Sequence, residues 1–89
     1  MLTIEILIPN SGSLKDKRSI LKRIKDRSRN KFNISVAEVD FQEKWQRAKL
    51  AFATVSSDHK RAEETLQKLF EMLDSDYGFE IVQFKFEFI

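Results

Sequence analysis

The sequence predicts an α+β fold in which two helices cover one face of a four-stranded antiparallel sheet. Four segments alternate apolar and polar residues with period two, and two longer segments repeat apolar residues with helical period. Their order along the 89 residues is β-α-β-β-α-β. Because the connections are short and crossovers are right-handed, the favoured strand order is 4-1-3-2. A chain of 89 residues has room for one such domain, spanning residues 1–89.

The first strand is predicted near residues 1–8, where leucine and isoleucine occupy every second position. Pro9 and the turn-forming residues after it end the strand. The first helix is predicted near residues 14–30, with Ser13 as N-cap and Asp16 at the positive end of the helix dipole. Its apolar stripe predicts the buried face, which consists of Leu14, Leu21, Ile24 and Ser28.

Alternation also predicts two strands near residues 33–41 and 46–55, joined by a short polar connection. Asp58, with the two serines before it, predicts the cap of a second amphipathic helix near residues 58–74. The last strand is predicted near residues 79–88, where valine and phenylalanine alternate with polar residues. This order of elements is the ferredoxin-like arrangement.

Composition excludes several classes of protein. The chain has no cysteine, which excludes disulfides, thiolate metal sites and cysteine catalysis, and agrees with a reducing cytoplasm. Its apolar runs are too short to cross a bilayer, and no basic-then-apolar leader begins the sequence. We therefore expect a cytoplasmic protein with no membrane partner.

Charge is distributed unevenly along the chain. The formal net charge is +2, but residues 15–31 hold nine of the 16 Lys/Arg and only two of the 14 Asp/Glu. That segment therefore carries +7 and the remainder −5. A block of one sign indicates the kind of partner a protein attracts.

Five cations of the first helix share one side, at spacing i, i+3, i+7, i+10 and i+14. At about 1.5 Å per residue they form a ridge roughly 21 Å long. Such a ridge suits a phosphate backbone, although a solvated helix face that offsets the acidic second helix has the same pattern. A second stripe, of Arg23, Arg27 and Lys31, lies on the opposite flank. The basic ridge consists of Lys15, Arg18, Lys22, Lys25 and Arg29.

Other charged residues allow alternative interpretations. Lys17 projects towards the core side, where most lysines extend the ammonium back to solvent and a minority pair with a carboxylate. Glu38 and Asp40 are expected on one strand face about 7 Å apart, a spacing that could serve acid/base chemistry or a hard cation. The favoured interpretation is that the two carboxylates are solvated, or paired with Arg47 or Lys49 of the neighbouring strand.

The segment Trp45–Arg47 begins the third strand. Trp45 could stack on a base, but a plug at the end of the core is the favoured interpretation. Ser57, Asp58 and His59 are consecutive, so they cannot form a catalytic relay. The sequence has no glycine-rich phosphate loop and no group of metal ligands. We therefore predict no catalytic residues, no metal and no cofactor.

A long, ordered set of residues stands out between Ser13 and Ala48. It consists of Ser13–Arg18, Leu21–Lys22, Asp26–Arg27, Arg29–Asn30, Phe32–Asn33, Ser35–Asp40, Gln42 and Trp45–Ala48. This set resembles the YlxP-like bacterial proteins, a family of unknown function. The resemblance implies the ferredoxin-like fold, and a gene often placed between those of translation initiation factor two and ribosome-binding factor A, hence a link to ribosomes or RNA. It implies no activity and no catalytic residues. Within this set, an interaction turn is expected from Glu38, Asp40, Trp45, Gln46 and Arg47.

These observations predict a small non-enzymatic protein that binds structured RNA or the ribosome through the basic ridge. The alternative is a self-associating interaction module, a homodimer that uses the open sheet face or the edge formed by the last strand. Apolar residues of the third strand, either Leu50 and Phe52 or Ala51, Ala53 and Val55, must lie on that open face. A hydrolase built on Glu38 and Asp40 is the least supported, since no nucleophile or metal set accompanies them.

Overall fold

The computed structural model describes residues 1–88 and confirms the predicted order of elements. The elements are β1 (Leu2–Leu7), α1 (Leu14–Lys31), β2 (Ser35–Asp40), β3 (Arg47–Ala53), α2 (His59–Asp74) and β4 (Glu80–Phe86). The four strands form one antiparallel sheet in the order β2-β3-β1-β4, which is the predicted order 4-1-3-2 counted from the other edge. The edges are therefore β2 and β4.

The core lies between the helices and the two central strands. Leu2 is opposite Phe52 and Ile4 is opposite Leu50, and all four side chains are fully buried. The neighbours of Leu50 and Phe52 along β3 therefore face the open side of the sheet, and these are Lys49, Ala51 and Ala53. The buried set comprises Leu2, Ile4, Ile6, Ile8, Leu21, Ile24, Ala48, Leu50, Phe52, Leu66, Leu69, Leu73 and Phe79.

The helix starts follow the capping pattern in the sequence. Ser13 Oγ accepts the Asp16 N–H at 3.1 Å, and Asp16 Oδ2 accepts the Gly12 N–H at 3.0 Å. In α2, Asp58 Oδ1 accepts the Lys60 N–H at 3.0 Å. Each cap satisfies backbone donors that the first helical turn leaves unpaired.

Two irregularities in the sheet change which side chains share a face. Between β1 and β4 the register shifts after Glu5, so that Ile81 lies opposite Ile6. Val82 is consequently 41% exposed, whereas Ile81 packs against the core, and the simple alternation predicted for the last strand is wrong at this point. Between β2 and β3 a second shift separates Glu38 from Asp40.

Candidate nucleic-acid interface

Four of the five cations of the basic ridge, all except Lys15, line a groove at the β2 edge of the molecule. The groove has a volume of about 300 Å³ and lies between α1 and the end of β2. The groove lies there because α1 packs beside the edge strand β2, where Lys17 contacts Glu38 and Arg29 reaches the Val36 carbonyl. The lining residues are Arg18, Leu21, Lys22, Lys25, Asp26, Arg29 and Glu38.

Most of the ridge cations have no acidic partner. Within residues 1–88, no carboxylate is in ion-pair contact with Lys15, Arg18 or Lys25. Arg29 makes a long hydrogen bond, 3.5 Å, to the Val36 carbonyl, and its charge also acts on the carboxylate of Asp26.

One carboxylate accompanies the ridge. Lys22 Nζ lies 2.8 Å from Asp26 Oδ2, and the hydrogen bond from Lys22 lowers the pKa of Asp26 below its usual value. Asp26 therefore stays ionised at neutral pH. Glu38 also lines the groove, but its charge is paired with that of Lys17, so the five cations and Asp26 leave the ridge a net charge of +4.

Two of the three cations on the opposite flank of α1 share one carboxylate, and the third, Lys31, is exposed and lies over the Phe32 ring. Arg23 donates from Nη1 and Nη2 to the two oxygens of Asp76 at 2.9 and 3.0 Å, and Arg27 Nη1 lies 2.9 Å from Asp76 Oδ2. The Asp76 side chain is only 4% exposed, and one of its oxygens also accepts the Gly78 N–H at 2.8 Å. These two cations are therefore engaged within the fold and are less available to a partner.

Asp76 is held as a carboxylate by its surroundings. Burial raises its pKa, but the hydrogen bonds from Gly78 and Arg23 and the positive charges of Arg23 and Arg27 outweigh burial. The pKa of Asp76 consequently lies below its usual value. An ionised Asp76 joins α1 to the turn after α2, a charge-assisted contact between segments that are far apart in sequence.

Lys17 is buried, contrary to the favoured prediction that it reaches solvent. Its residue is 1% exposed, and Nζ lies 2.7 Å from Glu38 Oε2 and donates to the Phe41 carbonyl at 2.7 Å. The minority interpretation, a specific pairing with a carboxylate, is thus confirmed. The pair joins α1 to the end of β2.

The Lys17 contact also stabilises an unusual backbone conformation. Phe41 has φ of 61°, in the left-handed region that a bulky side chain seldom adopts. Its carbonyl accepts from Lys17, and its N–H donates to Asp40 Oδ1 at 2.7 Å. These contacts hold the residue that leads out of β2 in a single geometry.

The structure does not bring Glu38 and Asp40 together. Glu38 lies opposite Leu50, on the helix side of the sheet, whereas the register shift places Asp40 opposite Lys49. Glu38 is committed to Lys17. A paired-carboxylate site therefore has no geometric basis. The favoured interpretation is wrong for Glu38, which pairs with α1, and agrees with Asp40, which is exposed and lies opposite Lys49 in the register.

The remaining residues of the expected interaction turn have mixed roles. Gln46 Nε2 donates to the Ser11 carbonyl at 3.0 Å, and Arg47 forms an ion pair with Glu5 and lies over the Phe41 ring at 4.2 Å. Gln46 and Arg47 therefore connect the ends of β1, β2 and β3.

Trp45 does not plug the core, so the favoured prediction is wrong. It is 54% exposed and lines a shallow groove with Leu7 and Arg47. Four members of the expected interaction turn are exposed, namely Asp40, Trp45, Gln46 and Arg47. Gln46 and Arg47 also make contacts within the fold, and the fifth member, Glu38, is half-buried and paired with Lys17.

Sequence reasoning missed three participants, namely Glu5, Phe41 and Asp76. The Asp76-Tyr77-Gly78 stretch indicates a turn whose aspartate accepts the Gly78 N–H. Nothing local indicates that this aspartate faces Arg23 and Arg27, which lie 53 and 49 residues earlier.

Residues 1–88 show little sign of a metal site or of a membrane-spanning helix. Among residues 1–88 there is no group of three or more His, Asp or Glu arranged to hold a metal ion. The single histidine, His59, is paired with Glu63 at 2.9 Å. In the same range, neither helix combines the length and apolarity that a bilayer crossing requires.

Comparison with known proteins establishes the family. A family model described as "Protein of unknown function (DUF503)" matches residues 1–86. The chain belongs to this family. It is also 45% identical over 71 residues to the uncharacterized protein YlxP of Bacillus subtilis (strain 168). The aligned stretch covers 80% of this chain and 77% of the relative.

The family residues that carry the resemblance are close together in the structure. Lys17 contacts Glu38 and Phe41, and Arg47 lies over Phe41. Gln46 holds the loop that leads into α1. The dense part of the family pattern therefore includes the contacts that fix the start of α1, and with it the first cations of the basic ridge.

Proposed function

We propose that the protein binds an RNA phosphate backbone, in free RNA or in the ribosome of the cytoplasm, through the basic ridge and without catalysing a reaction. The observation that supports this is the difference in pairing along one helix. Arg23 and Arg27 share the carboxylate of Asp76, which leaves that trio a net charge of +1, whereas the ridge with Asp26 keeps a net charge of +4.

The physical argument is counterion release. Each cation that neutralises a phosphate releases a condensed ion, so binding gains entropy and weakens as salt is added. The ridge is straight, roughly 21 Å long at a rise of about 1.5 Å per residue, and matches a continuous track of phosphates. In residues 1–88 the fold makes no ion pair with Lys15, Arg18 or Lys25. Their charge is available to a polyanion.

The test is charge reversal on the ridge with a matched control on α2. The double variant Arg18→Glu/Lys25→Glu changes two cations that have no acidic partner in residues 1–88. The control Lys60→Glu/Lys68→Glu makes the same change in net charge at exposed sites outside the ridge.

Binding of a fluorescent ribosomal RNA fragment is measured by anisotropy at several salt concentrations. We expect the ridge variant to bind at least about tenfold more weakly, and its log-log salt slope to fall by about 1 to 2. The control should retain most of the affinity. Equal losses in both variants, or an unchanged slope in the ridge variant, would contradict the proposal.

A pull-down from lysate with and without ribonuclease extends the test to the ribosome. Ribosomal material should be captured by the wild-type chain and lost after digestion or in the ridge variant. Capture that survives ribonuclease and does not depend on the ridge would favour a protein partner instead.

Self-association is a second candidate, supported by the β4 edge. Phe84 is 57% exposed on this edge, and its ring contacts Phe70 of α2 with centroids 4.6 Å apart. The open sheet face gives less support, because Leu50 and Phe52 are in the core. If β4 pairs between copies, light scattering should show a dimer that Phe84→Lys dissociates. A wild-type monomer at high concentration would exclude this candidate.

A further inference from the structure

We infer, within the proposed function, that the RNA bound by the ridge is a double helix contacted through its backbone, not a single strand. Single-stranded nucleic acid is bound by surfaces that combine positive charge with aromatic rings, on which successive bases stack. Double-stranded RNA is bound largely by shape, through phosphates and 2′-hydroxyls. The two kinds of surface differ in whether aromatic side chains accompany the cations.

The ridge has charge without stacking side chains. Neither α1 nor β2 contains an aromatic residue. The groove beside the ridge has one apolar lining residue, Leu21, which is 4% exposed and belongs to the core. Unpaired bases would therefore find no ring to stack on along the ridge, whereas backbone phosphates find cations throughout its length.

The exposed aromatic residues lie elsewhere. Trp45 is in the connection before β3, Tyr77 follows α2, and Phe84 and Phe88 are at the β4 end of the sheet. The open face of the sheet, where a single strand could also lie, has a pocket lined by Thr3, Glu5, Lys49, Gln83, Phe84, Lys85 and Glu87. Lys85 is paired with Glu87, so this face offers little free positive charge, and the one ring in the lining, Phe84, lies on the edge strand β4.

The spacing of the ridge fits an ordered backbone. Successive cations are three or four residues apart, which corresponds to about 4.5 and 6 Å along the helix axis. They also spread over about 80° around the helix at about 100° per residue. A rigid duplex presents two rows of phosphates on either side of a groove, so a helix with this spread can contact both rows. A flexible single strand loses more conformational entropy to follow the same straight track.

The experiment compares one 20-nucleotide RNA of mixed sequence, free of self-complementarity, alone and annealed to its complement. We expect the duplex to bind at least about tenfold more tightly than the single strand, well beyond the twofold statistical gain from its second strand. The preference should collapse in Arg18→Glu/Lys25→Glu and persist in Lys60→Glu/Lys68→Glu. Three duplexes of unrelated sequence should bind within about threefold of one another.

The possible failures are distinguishable. Ridge-dependent binding in which the single strand equals or exceeds the duplex would overturn the duplex inference and leave the proposed function intact. Binding of both RNAs that is unaffected by ridge reversal would overturn both. Circular dichroism of each variant confirms that a loss of binding does not come from unfolding.

Discussion

The two flanks of α1 carry the same residue types in different surroundings. On one flank, Arg23 and Arg27 share the buried carboxylate of Asp76. On the other, the basic ridge has a single exposed carboxylate, Asp26, for five cations. The comparison shows that a high density of lysine and arginine on a helix does not by itself indicate a binding surface. The cations available to a partner are those that the fold leaves unneutralised.

The core-facing side of the same helix carries a third kind of cation. Lys17 faces the core and is paired with Glu38 and the Phe41 carbonyl. Along α1, cations therefore occur buried and paired, exposed and paired, and exposed and unpaired. Each class predicts a different response to substitution.

The largest effect on stability is expected at Lys17. Lys17→Ala leaves Glu38 without its partner at a side chain only 17% exposed, which should cost about 3 kcal/mol of unfolding free energy in urea denaturation. Lys22→Ala, on the exposed ridge of the same helix, should not measurably change stability. Lys17→Met combined with Glu38→Leu should recover most of the loss, because neither charge then remains buried. Equal stabilities of Lys17→Ala and Lys22→Ala would contradict the prediction that the buried Lys17–Glu38 pair stabilises the fold.

The next largest effect on stability is expected on the opposite flank of α1, where Arg23 and Arg27 share Asp76. Asp76→Asn removes the charge that Arg23 and Arg27 share, and should cost about 2 kcal/mol at neutral pH. The pKa of Asp76 is lowered in the folded protein, so its stabilisation is present above the unfolded value of about 3.9 and is lost as pH falls through the folded value. The stability difference between wild type and variant should therefore shrink below about pH 4. A difference that is constant down to pH 3 would show that the carboxylate charge is not responsible.

A smaller effect separates the two arginines. A Cβ at residue 78 would overlap Arg23 Nη2, so Gly78→Ala should displace this guanidinium from Asp76 and leave Arg27 in place. Alanine also restricts the unfolded chain, which offsets part of the cost. A double-mutant cycle with Arg23→Ala isolates the contact, and we expect a coupling of about 0.5–1 kcal/mol. If the effects of the two substitutions on the free energy of unfolding are additive, Arg23 accommodates the new Cβ without losing a stabilising contact.

The smallest effect concerns the one anion of the ridge. Asp26→Asn raises the net charge of the ridge from +4 to +5, and should tighten RNA binding by about threefold without a change in melting temperature. Glu64→Gln, an exposed change on α2, provides the matched control and should leave binding unchanged. Equal affinities of Asp26→Asn and wild type at low salt would place the contact surface away from Asp26.

Local pattern was sufficient to predict the elements of the fold, because each depends on neighbouring residues. Alternation from Leu2 to Ile8 requires one buried strand face, and Ser13 with Asp16 satisfies the first backbone donors of α1. The predicted alternation of the last strand failed at Val82, because a register shift depends on the partner strand and not on the strand itself.

The candidate site was only partly predictable. Helical spacing alone places the cations of the basic ridge on one side, from Lys15 to Arg29. Pattern could not predict that Trp45 stays exposed, because whether a ring fits the end of a core depends on the space that other elements leave. It also could not decide between the two interpretations of Lys17, since the carboxylate that receives it is 21 residues away on another element.

The sequence by itself determined the segment of +7 charge, the helix that carries it and the flank to which each cation belongs, because these depend on residue identity and on the 3.6-residue turn of a helix. Only the tertiary structure decided which of those charges are neutralised. Asp76 and Glu38 reach Arg23, Arg27 and Lys17 through the packing of the α2–β4 turn and the edge strand against α1. Ion pairs act over a few ångströms and have no sequence periodicity, so their partners are settled when the chain folds.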